Sequence, residues 1–498
     1  MKKTTVVLGL LLCLMILSAC DSSAGPNEDA LPPLETVIHT QDNSSDEYKR
    51  DDSEWIHREV LSFGAIFELY EDGKLILSEA DIIGNLIDEK AYQEYSDYIT
   101  TIELGDGVTR VGDKAFSGLS RIQKVIIGDD VVSIAYSSFS NCTALSQVTF
   151  GVNVTEIGDY AFSGCTALTD IYLGGNITVL GNYCFTGCTS IQNAILGESI
   201  SEMGNCIFNE CTSLSSLRIA CNVSNSAFKD CTSIVSITLE DTVTSIDDRA
   251  FSGCSMLQHI TFSAGLTQIG AYAFSECTSI GSISIPASVT LIEKEAFSKC
   301  TKLDTVEFAD EAALELGDSV FAGCTALKEV VLTDGVVSVG QYCFSDCTAL
   351  MNVAMGSNIT SMGEYLFAGC DALAKLSVDS DVGALSIKNC AALEKVIFGE
   401  NVTVIGEESF AGCASIKELV LPEGITTIEE RAFYDCSALK KIVFPKTVKS
   451  VGAEILYGTH SLTEINYRGS SDNWAAVKKD KTWNTGAGKS YITSYNAT

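Results

Sequence analysis

Cysteine is the residue type in this chain with the most chemistry to offer: there are 20 in 498 residues. Fourteen recur at one phase, mostly 23 residues apart: Cys142, Cys165, Cys188, Cys211, Cys231, Cys254, Cys277, Cys300, Cys324, Cys347, Cys370, Cys390, Cys413 and Cys436. In an oxidising compartment such a count normally signals disulfides. The regular spacing argues otherwise. Equivalent residues on stacked repeats have parallel Cβ vectors, whereas a disulfide needs converging vectors with Cα atoms about 4.4–6.8 Å apart. The fourteen therefore read as a buried thiol ladder packing as small apolar groups. Such a ladder survives where oxygen is scarce, which implies an anaerobic habitat. The off-phase Cys184, Cys206, Cys221 and Cys343 are the ones left from which a bridge could form.

Other chemistries find less support. Cys184 and Cys188 are four residues apart, as are Cys343 and Cys347, but no Cys-x-x-Cys pair exists, and His39, His57, His259 and His460 are scattered. No metal site or cofactor is expected from that spacing. Gly486-Ala-Gly488-Lys489-Ser490 lacks the first glycine of a phosphate loop, whose place is taken by Trp483. There is no Gly-x-Ser-x-Gly elbow. Carboxylate pairs such as Asp129-Asp130 and Glu429-Glu430 suit glycoside chemistry in principle, yet on an acidic surface such pairs are ordinarily just solvated. The sequence is read as non-catalytic, with a glycan or peptide hydrolase as a distant alternative. Sixty-five acidic against 32 basic side chains give a net charge of −33. That charge repels phosphate backbones and anionic lipid surfaces, so no nucleic-acid partner is expected.

The cysteines are held by a repeat. Chain length exceeds the ~250 residues at which one compact core stops growing, so several domains or one elongated stack are required. A period of 20 to 50 residues means a stack, in which no unit buries its apolar face alone. The unit reads Cys-Thr-x-Leu-x-x-Ile-x-Leu, a Gly/Asn/Asp turn, Val-Thr-x-Ile-Gly, then Ala-Phe. In the unit from Cys165 to Phe185, Leu168, Ile171 and Leu173 point inward and Asp170 and Tyr172 outward, the two-residue period of a strand. Ile177 and Leu180 form a second inward pair, and Gly174-Gly175-Asn176 the bend between them. The Phe-x-x-Cys segment is expected to be a single helical turn. With Leu119 and Thr459 in the cysteine slot at the two ends, about 16 coils result. Two units have 20 residues, Cys211 to Cys231 and Cys370 to Cys390, and they lie 159 apart, as do Cys184 and Cys343. A seven-unit block is thus duplicated, at 142–300 and 301–459.

This pattern resembles bacterial surface leucine-rich repeats of the BspA-like type. Leu419-Val-Leu421-Pro422-Glu-Gly-Ile425-Thr-Thr-Ile428, followed by Ala432-Phe433-Tyr-Asp-Cys436, follows the unit closely, although Glu429 stands where glycine is usual. The resemblance implies a leucine-rich-repeat solenoid, curved and right-handed, with a parallel sheet on one face, short helical turns on the other and caps at both ends. It also implies cell-surface adhesion or binding of an extracellular protein or glycan. The outward strand positions are the expected binding face, including Tyr172, Arg218, His259, Glu307, Lys375, Lys395 and Lys441. Its middle is mainly Ser and Thr; its C-terminal stretch mixes lysine with valine and isoleucine. Plain β-propensity on an exposed sheet accounts for the same residues equally well. A structural envelope component without a specific ligand is the second functional reading.

The two ends carry different signals. Lys2-Lys3, the apolar run Val6 to Leu17 and Leu17-Ser18-Ala19-Cys20 resemble a bacterial lipoprotein signal, which implies lipidation of Cys20 after removal of residues 1–19. Residues 20–53, acidic and containing Pro26, Pro32 and Pro33, read as a flexible tether. The membrane is then met through the N-terminal lipid alone. Residues 54–97 are expected to form an N-terminal hairpin cap, 98–467 the repeats and 468–498 a C-terminal cap marked by Tyr467, Trp474, Trp483 and Tyr491.

Overall fold

The computed structural model describes residues 55–496, apart from 312 and 489–491. Cys20, where lipidation is expected, the tether of residues 20–53 and Tyr491 of the expected C-terminal cap lie outside them. Each repeat makes one coil, and successive coils stack in register. In the coil used as the example above, the strand Asp170–Leu173 buries Ile171 and Leu173 while Asp170 and Tyr172 face out. It pairs in parallel with Asn193–Leu196 of the next coil, Asp170 opposite Asn193 and Tyr172 opposite Ile195. Repetition of this pairing gives a front ladder of parallel strands in five stretches, which begins at Lys74–Ser78 and ends at Ile492–Tyr495.

A second ladder forms from the Val-Thr-x-Ile segment. Val179–Leu180 pairs in parallel with Glu156–Ile157 before it and Glu202–Met203 after it. Glycine follows the inward Ile or Leu in most coils because the chain of the previous coil passes so close: a Cβ on Gly181 would lie 2.3 Å from the amide nitrogen of Asp159. Threonines on this side bind the coil before, as Thr267 Oγ1 donates to Thr244 O at 3.0 Å.

The third side corrects the expected helical turn. Between Ala and Cys the chain makes two consecutive turns, and the residues before Ala and before Cys take left-handed backbone conformations, for instance Tyr160 at φ 58° and Gly164 at φ 74°. Alternate amides then point at the next coil: Tyr160 N–H donates to Asn182 O, Phe162 N–H to Cys184 O and Gly164 N–H to Thr186 O, all within 2.9 Å. An α-helix would have turned these donors along its own axis. Among the described residues α-helix is confined to Lys90–Tyr95 and Ser471–Ala476.

These three sides enclose one apolar column running from Leu61 to Val477. Phenylalanines stack along it, ring centroids 5.0 to 5.9 Å apart from Phe116 through Phe367, until Ile387 interrupts the series. All sixteen residues of the cysteine slot, from Leu119 to Thr459, are buried. At the N-terminal end Ile66–Tyr70 and Lys74–Ser78 pair as the expected antiparallel hairpin, and Trp55–Val60 adds a further antiparallel strand. At the other end Trp474 packs against Phe444, Tyr467 and Trp483.

The two short coils lose their three residues from the bend between the front and back strands. Ile219 leads through Ala220, Cys221 and Asn222 to Val223, where a full coil needs seven steps from Leu173 to Leu180. The back ladder breaks at both places and resumes through single bridges, Val223 to Ile246 and Val382 to Ile405. Side chains replace the lost ladder: Asn222 Oδ1 accepts from Thr244 N, Thr244 Oγ1 and Ser245 N, and Asp381 Oδ1 does the same for Thr403 and Val404.

Candidate binding face

The front ladder presents two outward rows. One row reads Asp170, Asn193, Ser216, Ser236 and His259 along one stretch and Glu329, Asn352, Lys375 and Lys395 along a later one, each residue opposite the next. The other reads Tyr172, Ile195, Arg218, Thr238 and Thr261, then Val331, Ala354, Ser377 and Ile397. All seven residues singled out from the sequence therefore lie on this face, although their environments differ. His259, Glu307, Lys375 and Lys395 are exposed. Tyr172 is half-buried, and burial, helped by the neighbouring Asp170 carboxylate, pushes its phenol up from the ordinary value. Arg218 is engaged already, its Nε 2.7 Å from Glu240 Oε1.

The C-terminal patch is narrower than the sequence suggests. Lys441 Nζ sits 3.1 Å from Glu418 Oε1 in the adjacent coil, so its charge is met within the fold. Val443, expected outward, is buried, as is Ile195, which stands in register between the long side chains of Tyr172 and Arg218. What remains open is Lys375 beside Lys395, with Val331, Ile397 and Val420 exposed by 47, 39 and 47%. Neither lysine makes an ion pair or side-chain hydrogen bond among the described residues; Glu394, next in sequence to Lys395, faces Lys417 at 3.8 Å.

The cysteines have a role beyond apolar filling. Each ladder thiol donates to the carbonyl oxygen at the phenylalanine position of the coil before, Sγ to O 3.0 to 3.7 Å in all fourteen. Burial pushes Cys188, Cys324 and Cys436 up to about 12, and many of the others rise for the same reason. The thiols so raised stay protonated donors and are poor nucleophiles near neutral pH. All eighteen described cysteines are free. Cys184 and Cys343 fill the alanine slot in the core, Cys206 takes a left-handed position beside Tyr183, and Cys221 is buried in the first short bend.

That short bend also opens a notch of about 760 Å³ on the back, lined by Glu198, Glu202, Cys221, Asn222, Thr242 and Asp247 among others. The only sequence signal for it was the 20-residue period. Among the described residues no three His, Cys, Asp or Glu side chains are placed to hold a metal ion, and no helix is long and apolar enough to cross a membrane.

A family model for the BspA type leucine-rich repeat region, six copies long, matches residues 85–215, 221–315, 314–386 and 380–475. The chain belongs to the BspA-type leucine-rich-repeat family. None of the curated proteins compared matches this BspA-type chain. Among solved structures it is similar to a leucine-rich repeat protein from Bacteroides ovatus ATCC 8483, at 22% identity and TM-score 0.50, over 86% of this chain and 98% of that one. A leucine-rich repeat protein from Eubacterium ventriosum ATCC 27560 matches at 22% identity and TM-score 0.41, over 71% and 94% of the two chains. A leucine rich cell surface protein from Faecalibacterium prausnitzii A2-165 matches at 24% identity and TM-score 0.30, over 86% and 99%. At 22% identity the likeness to the Bacteroides ovatus protein is one of fold alone.

Proposed function

We propose that this BspA-type protein is a cell-surface lipoprotein, held by a lipid on Cys20 and a tether over residues 20–53, that binds an extracellular protein through the front of its solenoid without catalysis. One observation carries the reading: three aliphatic side chains, Val331, Ile397 and Val420, stand exposed in one outward row of the front face, Ile397 on the same strand as Lys395. Exposed apolar area of this kind, bordered by charge, marks contact surfaces. The acidic excess, by contrast, is not concentrated on this face. Supporting the anchor is the sequence alone, Leu17-Ser-Ala-Cys20 after a short apolar run.

Two measurements test it. Captured proteins from the surfaces of neighbouring cells are compared between the native chain and a Val331→Ser, Ile397→Ser, Val420→Ser variant; capture of a defined partner that the variant loses is the expected result. Identical capture by both removes this face from consideration. Growth with a labelled fatty acid should mark the native protein and leave Cys20→Ala unmarked; equal labelling refutes the anchor.

A further inference from the structure

The duplicated block lets the protein serve as its own comparison. Offset by 159 residues, the two copies share their core: Cys211 and Cys370, Leu217 and Leu376, Cys231 and Cys390 are all buried in equivalent places. Their front faces differ: Arg218, Ile195 and His259 of the first block correspond to Ser377, Ala354 and Glu418 of the second, and five further positions change towards lysine or an aliphatic. Ser216 and Ser236 of the first block correspond to Lys375 and Lys395 of the second; Tyr172, Thr238 and Thr261 correspond to Val331, Ile397 and Val420. In both blocks the paired positions flank the short coil and lie directly opposite each other in the parallel ladder, Ser216 against Ser236 and Lys375 against Lys395.

Like charges placed directly opposite on adjacent strands, about 4.8 Å apart, destabilise a sheet. The fold does not require them, since serines occupy the same sites in the same geometry seven coils away, about 34 Å at a strand spacing of about 4.8 Å, and the ladder pairs identically. Neither makes an ion pair among the described residues: Glu418, the next residue of the row after Lys395, is held by Lys441 on its other side. We infer that Lys375 and Lys395 jointly receive a carboxylate from an acidic, aliphatic-bearing segment of a partner protein, whose apolar side chains cover Val331, Ile397 and Val420. The inference rests on the reading of the front face as a protein-binding surface and specifies its partner's chemistry. A bare anion or a sugar acid would use the lysines and leave the three aliphatics uncovered, so the exposed aliphatics favour a peptide.

The test uses the full chain and a labelled peptide alternating glutamate with valine, with glutamine-for-glutamate and serine-for-valine versions beside it. Native protein should bind the first peptide saturably at low salt, and Lys375→Ser with Lys395→Ser should weaken that binding by about tenfold or more. Lys302→Ser with Lys328→Ser, exposed lysines not paired in the ladder, should leave it unchanged. Installing Ser216→Lys, Ser236→Lys, Thr238→Ile and Thr261→Val should create a second site. Relief of repulsion should also raise the unfolding midpoint of the Lys375→Ser, Lys395→Ser variant at low salt, with the gain fading as salt screens the pair. Absent binding by the native chain, equal binding by the lysine variant, binding of the glutamine peptide as tight, or a lowered midpoint would each overturn the inference. A partner captured equally by the lysine variant but lost by the Val331, Ile397 and Val420 variant would overturn it while leaving the proposed function standing.

Discussion

Alkali should dismantle the thiol column. Fourteen buried thiols donate hydrogen bonds to carbonyls of the preceding coil, and a thiolate can do neither that nor tolerate an apolar surround. Cys188, Cys324 and Cys436 are held up to about 12, against about 8.5 for a cysteine in an unfolded chain. Because the folded values are the higher ones, the stabilisation is fully present below about pH 8.5 and drains away as the pH rises towards about 12. At about pH 9.5 the unfolded chain gains roughly 1.4 kcal/mol per thiol by ionising, so these three alone remove about 4 kcal/mol. The other raised thiols act in the same direction, and whole domains are stable by only about 5–15 kcal/mol. Urea unfolding followed by circular dichroism in the presence of reductant should show the midpoint steady from about pH 6 to about pH 7.5 and falling steeply by about pH 9.5. In parallel, thiol labelling at about pH 8 should modify Cys206, the one described cysteine that is not buried, and reach the others only on unfolding. A midpoint indifferent to pH up to about 9.5, or several thiols labelled in the folded protein, would refute the reasoning.

Gly164 is left-handed at φ 74°, and a Cβ there would stand 2.5 Å from Asn141 Oδ1. Gly164→Ala should cost about 1–2 kcal/mol for the backbone alone and more for the collision, and Asn141→Gly in the same chain should recover the second part in a double-mutant cycle. Asn222→Ala removes the acceptor for three donors in the next coil and should cost about 1–2 kcal/mol, measured by urea unfolding; Asn222→Asp, the residue of the second block at 381, should preserve stability.

Much of the solenoid was legible because burial and sequence share a period. Leu168, Ile171, Leu173, Ile177 and Leu180 all point where alternation puts them, since a one-residue slip would turn the whole set outward. The third side was misread for a physical reason. Ala, Phe and Cys at positions one, two and five of the segment have helical spacing, and the contrary signal, a Gly, Asn or Asp just before Cys in eleven of the fourteen ladder units, is a preference for left-handed backbone that periodicity does not register. The outward positions of the front ladder were legible but not their electrostatics: that Lys441 is met by Glu418, Arg218 by Glu240 and Lys375 by no carboxylate among the described residues depends on register between coils some twenty residues apart. The notch at the first short coil needs knowledge of where three residues were lost, which the period alone does not supply.

The coil following Cys300 rests on its predecessor as every other coil does, with Cys324 donating to Phe297 O just as Cys300 donates to Phe274 O. A junction that repeats itself can be cut and rejoined without exposing new apolar surface. Unequal recombination between the two blocks would therefore yield folded chains shorter or longer by seven coils, about 34 Å at a strand spacing of about 4.8 Å, each with unaltered termini. The length of such a protein becomes a quantity inherited as copy number, adjustable in one genetic event and independent of which residues line its front face.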